Sequence, residues 1–383
     1  AWRKALEWTD GLEDGLACML ATIASTMSVG DQLWIKLIGP PSCGKSTLCE
    51  AVSVAHQYVY PKSTIRGFHS GYGDEEEDNS LIAKVRGKTL VTKDGDTLLQ
   101  SPNLGQILSE ARDLYDSVSR THYRNKKSKD YSGVRMTWIL AGTSSLRSID
   151  HSEVGERFLD CVIMDEIEDE LEDQILMRVV DKATENVARE TTETAESQYD
   201  PDLAHAMSLT GGYIAYLRET ASNELRKINA SRQAKLHCAK LGKLVSFARA
   251  RPSSVQDEDS QRELGARLAS QLTRMAMCLA LVLNKRELDD EVLERTTKVA
   301  LDTSRGVTLT LMGKLYTHQQ RFEKGIGKTA LLLHSELDEA TTTKLIRFLV
   351  KIKAIVRTEK KRGEETKYVL TPQLMRLLEA VYE

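Results

Sequence analysis

The sequence is defined first by what it does not contain. No apolar stretch is long enough to span a bilayer, and no signal-peptide pattern follows Ala1, so an intracellular protein with no membrane partner is expected. The six cysteines (Cys18, Cys43, Cys49, Cys161, Cys238 and Cys278) include no CxxC pair. That spacing argues against a zinc site and predicts reduced, buried thiols. Charge of one sign is also missing. Lys+Arg 53 against Asp+Glu 56 leaves a net charge of -3, which excludes a uniformly basic coat but leaves room for local basic patches. There is no internal repeat and no low-complexity tract.

What is present is an ordinary soluble balance, 41% hydrophobic and 28% charged, over 383 residues. That length allows two or three domains with a sizeable core. Short strand-like runs at residues 32–38, 58–60, 89–92, 136–141 and 161–164 alternate with helical stretches, notably residues 103–119. Strands alternating with helices predict a parallel α/β sheet. After residue 167 the strand signals stop and long helical patterns run to about residue 317. Two short helices, a turn and two β-like runs (355–360 and 366–370) then close the chain.

The most specific pattern is Gly39-Pro-Pro-Ser-Cys-Gly-Lys-Ser46, which fits GxxxxGK[ST] between a strand and a helix. Glycines let the backbone N–H groups turn toward a phosphate, and the helix N-terminus adds a favourable dipole. Gly39, Pro40, Pro41, Ser42, Cys43, Gly44, Lys45, Ser46 and Thr47 are therefore candidate ATP-binding residues. Lys45 would reach the β/γ-phosphates, and Ser46 would ligate Mg²⁺. Two other Gly-Lys-Thr triplets, at Gly87 and Gly327, lack the first glycine and are expected to be structural. Two acidic pairs compete for the metal. Asp165-Glu166 follows an apolar run, while Asp94 and Asp96 follow residues 89–93.

In motif order the sequence resembles the AAA+ ATPase family over residues 1–310. In that family the metal carboxylate ends the third strand, a polar sensor ends the next, and an arginine precedes the fifth. The resemblance assigns the metal to Asp94 with Ser46, and the water-orienting role to Asp96. Gly95 stands where the family has its glutamate, and a one-residue shift of register would put Lys93 at the metal and make Asp94 the base. Thr143 becomes the γ-phosphate sensor. Arg157, in Gly155-Glu-Arg-Phe158, becomes the group offered to a neighbour's nucleotide, with Arg147 as a weaker alternative. A further lid arginine is Arg218 or Arg267, the latter in a stretch similar to minichromosome-maintenance helicases. The implied fold is an α/β P-loop core at 1–172, a helical lid at 173–315 and a C-terminal winged helix at 316–383. The implied assembly is a homo-oligomer, with a ring as its expected form.

Two basic segments suggest DNA. Residues 120–129 carry Arg120, Arg124, Lys126, Lys127 and Lys129 with His122 and Tyr123 between them, suited to phosphate contact and base stacking. The C-terminal segment carries Lys344, Arg347, Lys351, Lys360, Lys361 and Arg362. From Lys344 to Lys367 there are nine basic and three acidic residues. A basic helix followed by a basic wing suits the major groove and its flanking phosphates. The expectation is a DNA-dependent ATPase of helicase or translocase type. The alternatives are a DNA-bound ATP switch, such as an initiator, loader or transposition regulator, and a remodelling or defence ATPase whose winged helix binds protein.

Overall fold

The computed structural model describes residues 1–70, 78–122, 128–151, 157–164, 169–187, 200–250, 264–304, 306–322, 325–335, 338–358 and 365–382. It divides into two compact units. The first comprises Ala1–Asn229 with Arg274–Leu288, and the second Ala230–Thr273 with Asp289–Glu383.

The first unit opens with α1 (Trp2–Ala5) and α2 (Asp10–Ala24), whose N-terminus is capped by Thr9 accepting from the Leu12 N–H at 3.2 Å. It continues through β1 (Trp34–Ile38), α3 (Lys45–Ser53), β2 (Val59–Pro61), α4 (Leu81–Val85), β3 (Thr89–Thr92), α5 (Gly95–Leu99) and α6 (Leu104–Tyr115). Next come β4 (Val118–His122), β5 (Ser128–Ser132), β6 (Thr137–Gly142), a 3₁₀ turn at Ser144–His151, β7 (Phe158–Val162), α7 (Asp169–Val187) and α8 (Pro201–Leu225). Five strands form one parallel sheet in the order β2-β3-β6-β1-β7. All five residues of β1 are buried, as a central strand covered on both faces requires. On one face Trp34 meets Trp138 at 5.5 Å and Phe158 at 5.3 Å, and this aromatic cluster anchors the core against α6.

The expected α/β class with a parallel sheet is found; most strand ends shift by one to three residues, and two elements of this unit differ more. The fifth strand, read at residues 161–164, runs over Phe158–Val162. Asp160 interrupts the apolar pattern there, yet it lies directly across from Lys36 in register. The two close a buried ion pair of 2.9 Å at 0% and 3% exposure. The helix read at residues 103–119 stops at Tyr115. Ser117 turns the chain with a φ of 64°, and the rest forms β4, paired antiparallel with β5.

In the second unit α9 (Arg232–Ala248), α10 (Ala266–Val282, of which Ala266–Thr273 belong here), α11 (Asp290–Ser304) and α12 (Val307–Arg321) follow one another. Then come β8 (Ile326–Gly327), α13 (Lys328–Ser335), α14 (Glu339–Lys351), β9 (Ile355–Arg357), β10 (Lys367–Leu370) and α15 (Pro372–Tyr382). The three short strands form an antiparallel sheet in the order β8-β10-β9, so β8 adds to the two β-like runs expected here. α14 buries Leu345, Ile346, Phe348 and Leu349, and exposes Lys344, Arg347 and Lys351 at helical spacing. No described helix is long and apolar enough to cross a membrane.

Candidate functional site

The loop of residues 39–46 joins the C-terminal end of β1 to α3. Gly44 caps α3 with a φ of +91°, in the left-handed region that favours glycine. This turn leaves the first N–H groups of α3 at the mouth of the loop, where an anion is favoured. Lys45 is buried, and its Nζ donates to the carbonyls of Gly39 at 2.7 Å and Pro40 at 2.5 Å. Pro41, Ser42 and Ser46 are exposed; Cys43 is buried and Thr47 half-buried. Behind the loop, burial pushes the Cys49 thiol up to about 12, so it is an inert core thiol. All six cysteines are buried thiols outside any disulfide, as read from the sequence.

β6 lies between β1 and β3, and the three strands are parallel, so their C-terminal ends open on one edge. The Gly39 N–H donates to Gly142 O at 3.3 Å, which ties the loop to the end of β6. The next residue, Thr143, donates from its N–H to Asp96 Oδ2 at 2.9 Å and from its hydroxyl to Asp96 Oδ1 at 3.0 Å. Ser145 also donates its hydroxyl to Asp96. A Cβ on Gly142 would stand 2.8 Å from Leu146 and 3.2 Å from Asp96 Oδ2, so the close approach of β6 to this carboxylate depends on glycine. Burial raises the Asp96 pKa. The hydrogen bonds from Ser145 and Thr143, with the field of Lys45, outweigh that and hold the carboxyl below its ordinary value.

Asp94 has a different position. It is exposed and caps α5, accepting from the Thr97 N–H at 3.3 Å and from the Thr97 hydroxyl. Lys93 pairs with Glu50 of α3 at 3.2 Å. The structure therefore brings Asp96, Thr143 and the field of Lys45 together and leaves Asp94 at the neighbouring turn. Asp165 and Glu166 lie outside the described residues.

The arginines are placed elsewhere. Arg157 precedes β7, at the opposite edge of the sheet. It is buried, 3.3 Å from Asp116 Oδ2, with its guanidinium 5.3 Å from the Tyr115 ring centroid. Arg218, on α8, donates to Ile23 O at 3.2 Å and Gly87 O at 2.9 Å. Gly87 precedes β3, so Arg218 also sits at the far edge and is not brought to the loop. Arg147, on the 3₁₀ turn, faces Asp160 Oδ2 at 3.7 Å. Arg267 belongs to the second unit.

Sequence reasoning missed a cavity of about 110 Å³ beside the loop. Leu6, Leu12, Met164, Ile175 and Val179 line it, together with the loop at Ser42–Gly44. α7 closes over α1 here. Arg178 donates to Glu7 at 2.8 Å and to the carbonyls of Arg3 and Lys4, and Lys182 donates to Ala5 O. Ile175 and Val179 share helical spacing on α7, but Leu176, Met177 and Val180 beside them keep that spacing from marking the cavity.

Of the nucleic-acid candidates, Arg120 is exposed on β4, and Lys129 on β5 is committed to Asp78 at 2.7 Å. Arg124, Lys126, Lys127, Lys360, Lys361 and Arg362 lie outside the described residues. The two other Gly-Lys-Thr triplets open on local turns and contacts. Gly87 turns with a φ of +72°, and Thr329 donates to Glu365. No protein-family model and no curated protein matches the chain.

Proposed function

We propose that the first unit is an ATP-hydrolysing P-loop core of the AAA+ kind, serving an oligomeric, DNA-dependent ATPase of helicase or translocase type. One observation carries this reading: the lysine-bearing loop, the Asp96 carboxylate and the Thr143 hydroxyl follow the C-terminal ends of three adjacent parallel strands and open on one edge. Nucleotides bind outside the carboxyl ends of such strands. The chain order also agrees, because β3 is the third strand of the sheet and β6 the fourth.

The residues suit ATP and Mg²⁺. The left-handed Gly44 lets the loop N–H groups face a phosphate, Lys45 supplies a cation, and the exposed Ser46 hydroxyl stands at the start of α3. Among the described residues no three His, Cys, Asp or Glu side chains cluster as metal ligands. Mg²⁺ needs no such cluster, since one or two carboxylates plus phosphate oxygens and water suffice. When bound, the metal would neutralise charge developing on the phosphates. Asp96, sharing the field of Lys45, is better placed for that side of the site than Asp94, which serves as a helix cap. The apolar cavity at Leu6, Leu12 and Ile175 suits the flat face of the base. The second unit, with a basic α14 followed by an antiparallel β9–β10 pair, is read as a winged helix contacting DNA, and the long helices between as the lid.

A second reading, a DNA-bound ATP switch with slow turnover, draws on a separate observation. Arg157 is buried against Asp116 and Tyr115, and Arg218 donates to carbonyls at the far edge of the sheet, so both guanidinium groups are engaged within the chain. ATP hydrolysis by an oligomeric fraction, with and without single- and double-stranded DNA, tests both readings. DNA-stimulated turnover supports the first. ATP binding with little turnover under every condition favours the second. No ATP binding at all would sink both.

A further inference from the structure

The N-terminal edge of the five-stranded sheet, away from the candidate site, carries a set of cations held in an unusual way. Arg135 donates to Gly30 O at 2.6 Å and to Ser28 O. Arg274 reaches the same turn, donating to Ser28 O at 3.2 Å and to Val29 O. Arg218 donates to Gly87 O and Ile23 O, Lys88 to His56 O at 2.9 Å, and Arg86 to Ser132 O at 3.1 Å. These groups are contiguous, because the Gly87 N–H donates to Arg135 O at 2.7 Å and Gly87 adjoins Arg86 and Lys88 in the chain. Met27 and Val29, 60% and 93% exposed, project from the same edge.

Among the described residues, every hydrogen-bond partner of these five side chains is a backbone carbonyl, and none of the five forms an ion pair with a carboxylate. Several other basic residues of the unit pair with acids, as Lys36 does with Asp160, Lys93 with Glu50, Lys129 with Asp78 and Arg178 with Glu7. A carbonyl fixes a guanidinium in place but does not cancel its charge, so these five side chains add positive potential to the edge. Arg135 also keeps a buried Nε without a hydrogen-bond partner. Burial and the proximity of Arg274 lower its pKa, against the raising effects of Tyr115 and Asp31. The acids near the edge include Asp31, and Glu219, which accepts from Tyr58.

We infer that this edge is an interaction surface for the phosphate backbone of a nucleic acid, separate from both basic segments visible in the sequence. Pre-positioned arginines and lysines without counter-charges are the groups that displace condensed cations from a phosphate chain. Such binding is independent of base sequence and falls steeply with salt. The choice of nucleic acid as the polyanion rests on the proposed DNA-dependent activity.

The test uses the full chain and the exposed or half-exposed pair Arg86 and Lys88, neither of which belongs to the nucleotide site. Anisotropy of labelled single-stranded and duplex oligonucleotides is followed between about 50 and about 200 mM salt. Arg86→Glu with Lys88→Glu should weaken binding about tenfold or more and reduce the salt slope by about 1 for each phosphate no longer neutralised, with unchanged Tm and unchanged DNA-free ATP hydrolysis. The milder Arg86→Ala with Lys88→Ala should move the same way if charge reversal disturbs folding. A wild type that binds DNA and a folded variant with the same affinity and slope would overturn this surface alone. A wild type that binds neither oligonucleotide would overturn the DNA reading with it. A variant that loses binding to anionic phospholipid vesicles while keeping its DNA affinity would assign the edge to a membrane and overturn the inference.

Discussion

The two ends of the parallel sheet handle polar groups in opposite ways. At the C-terminal edge the polar groups satisfy one another: Asp96 takes three hydrogen bonds from Thr143 and Ser145, and Lys45 turns into its own loop. At the N-terminal edge five cations lean on carbonyls and keep their charge. The first arrangement has the fixed geometry that the proposed chemistry on a small ligand would need. The second is suited to a long polyanion, where the summed field matters more than any single group. Between the two lies the buried Lys36–Asp160 pair, which joins β1 to β7.

Breaking that pair should produce the largest effect. Lys36→Met removes the 2.9 Å partner of buried Asp160, and should cost about 3–5 kcal/mol of stability. Lys36→Met with Asp160→Leu should recover most of it, since two apolar groups need no partner. Chemical denaturation of the three proteins checks this. A double variant no more stable than the single one would mean that the pair does more than neutralise itself.

The next effect separates the two aspartates at the C-terminal edge. Asp96→Asn should cut ATP turnover by about 10- to 100-fold through loss of charge-assisted hydrogen bonds, worth about 1.5–3 kcal/mol each. Asp94→Asn should be milder, because asparagine is as good a helix cap as aspartate. Steady-state hydrolysis rates for the two variants decide the order, and the reverse ranking would return the metal to Asp94. The smallest effect is on pH. The Asp96 carboxyl titrates below its ordinary value, so its contribution to stability is fully present above the ordinary carboxylate pKa and is lost as pH falls through the depressed one. A Tm profile in mild acid should therefore decline less steeply for Asp96→Asn than for the wild type.

Much of the fold was legible because local signals and tertiary structure agreed. Residues 89–92 are an apolar run ended by a turn and form β3 without adjustment, and the loop at residues 39–46 announces its own strand and helix. β7 was misplaced because a charge inside a buried strand reads as a boundary until its partner, 124 positions away at Lys36, is known. The cavity beside the loop was invisible because it joins residues from α7, the N-terminal segment and the loop, which no single stretch of sequence brings together. The register at Asp94 was open by one residue, with Lys93 as its alternative at the metal. Asp94 completes the cap of α5 and Asp96 points back toward β6, a distinction set by backbone direction. The basic segments were legible by composition, yet the cations at the N-terminal edge, scattered over Arg86, Lys88, Arg135, Arg218 and Arg274, formed no run to find.

Whether Lys45 and its loop serve ATP hydrolysis can be decided by a single comparison. Steady-state ATP hydrolysis is measured for the wild type and for Lys45→Ala with Mg²⁺ present, alongside a Tm for each to confirm folding. The expected result is measurable turnover in the wild type and none above background in the variant, because the β/γ-phosphates lose their cation. A folded Lys45→Ala protein that hydrolyses ATP as fast as the wild type would refute the proposed role of the loop.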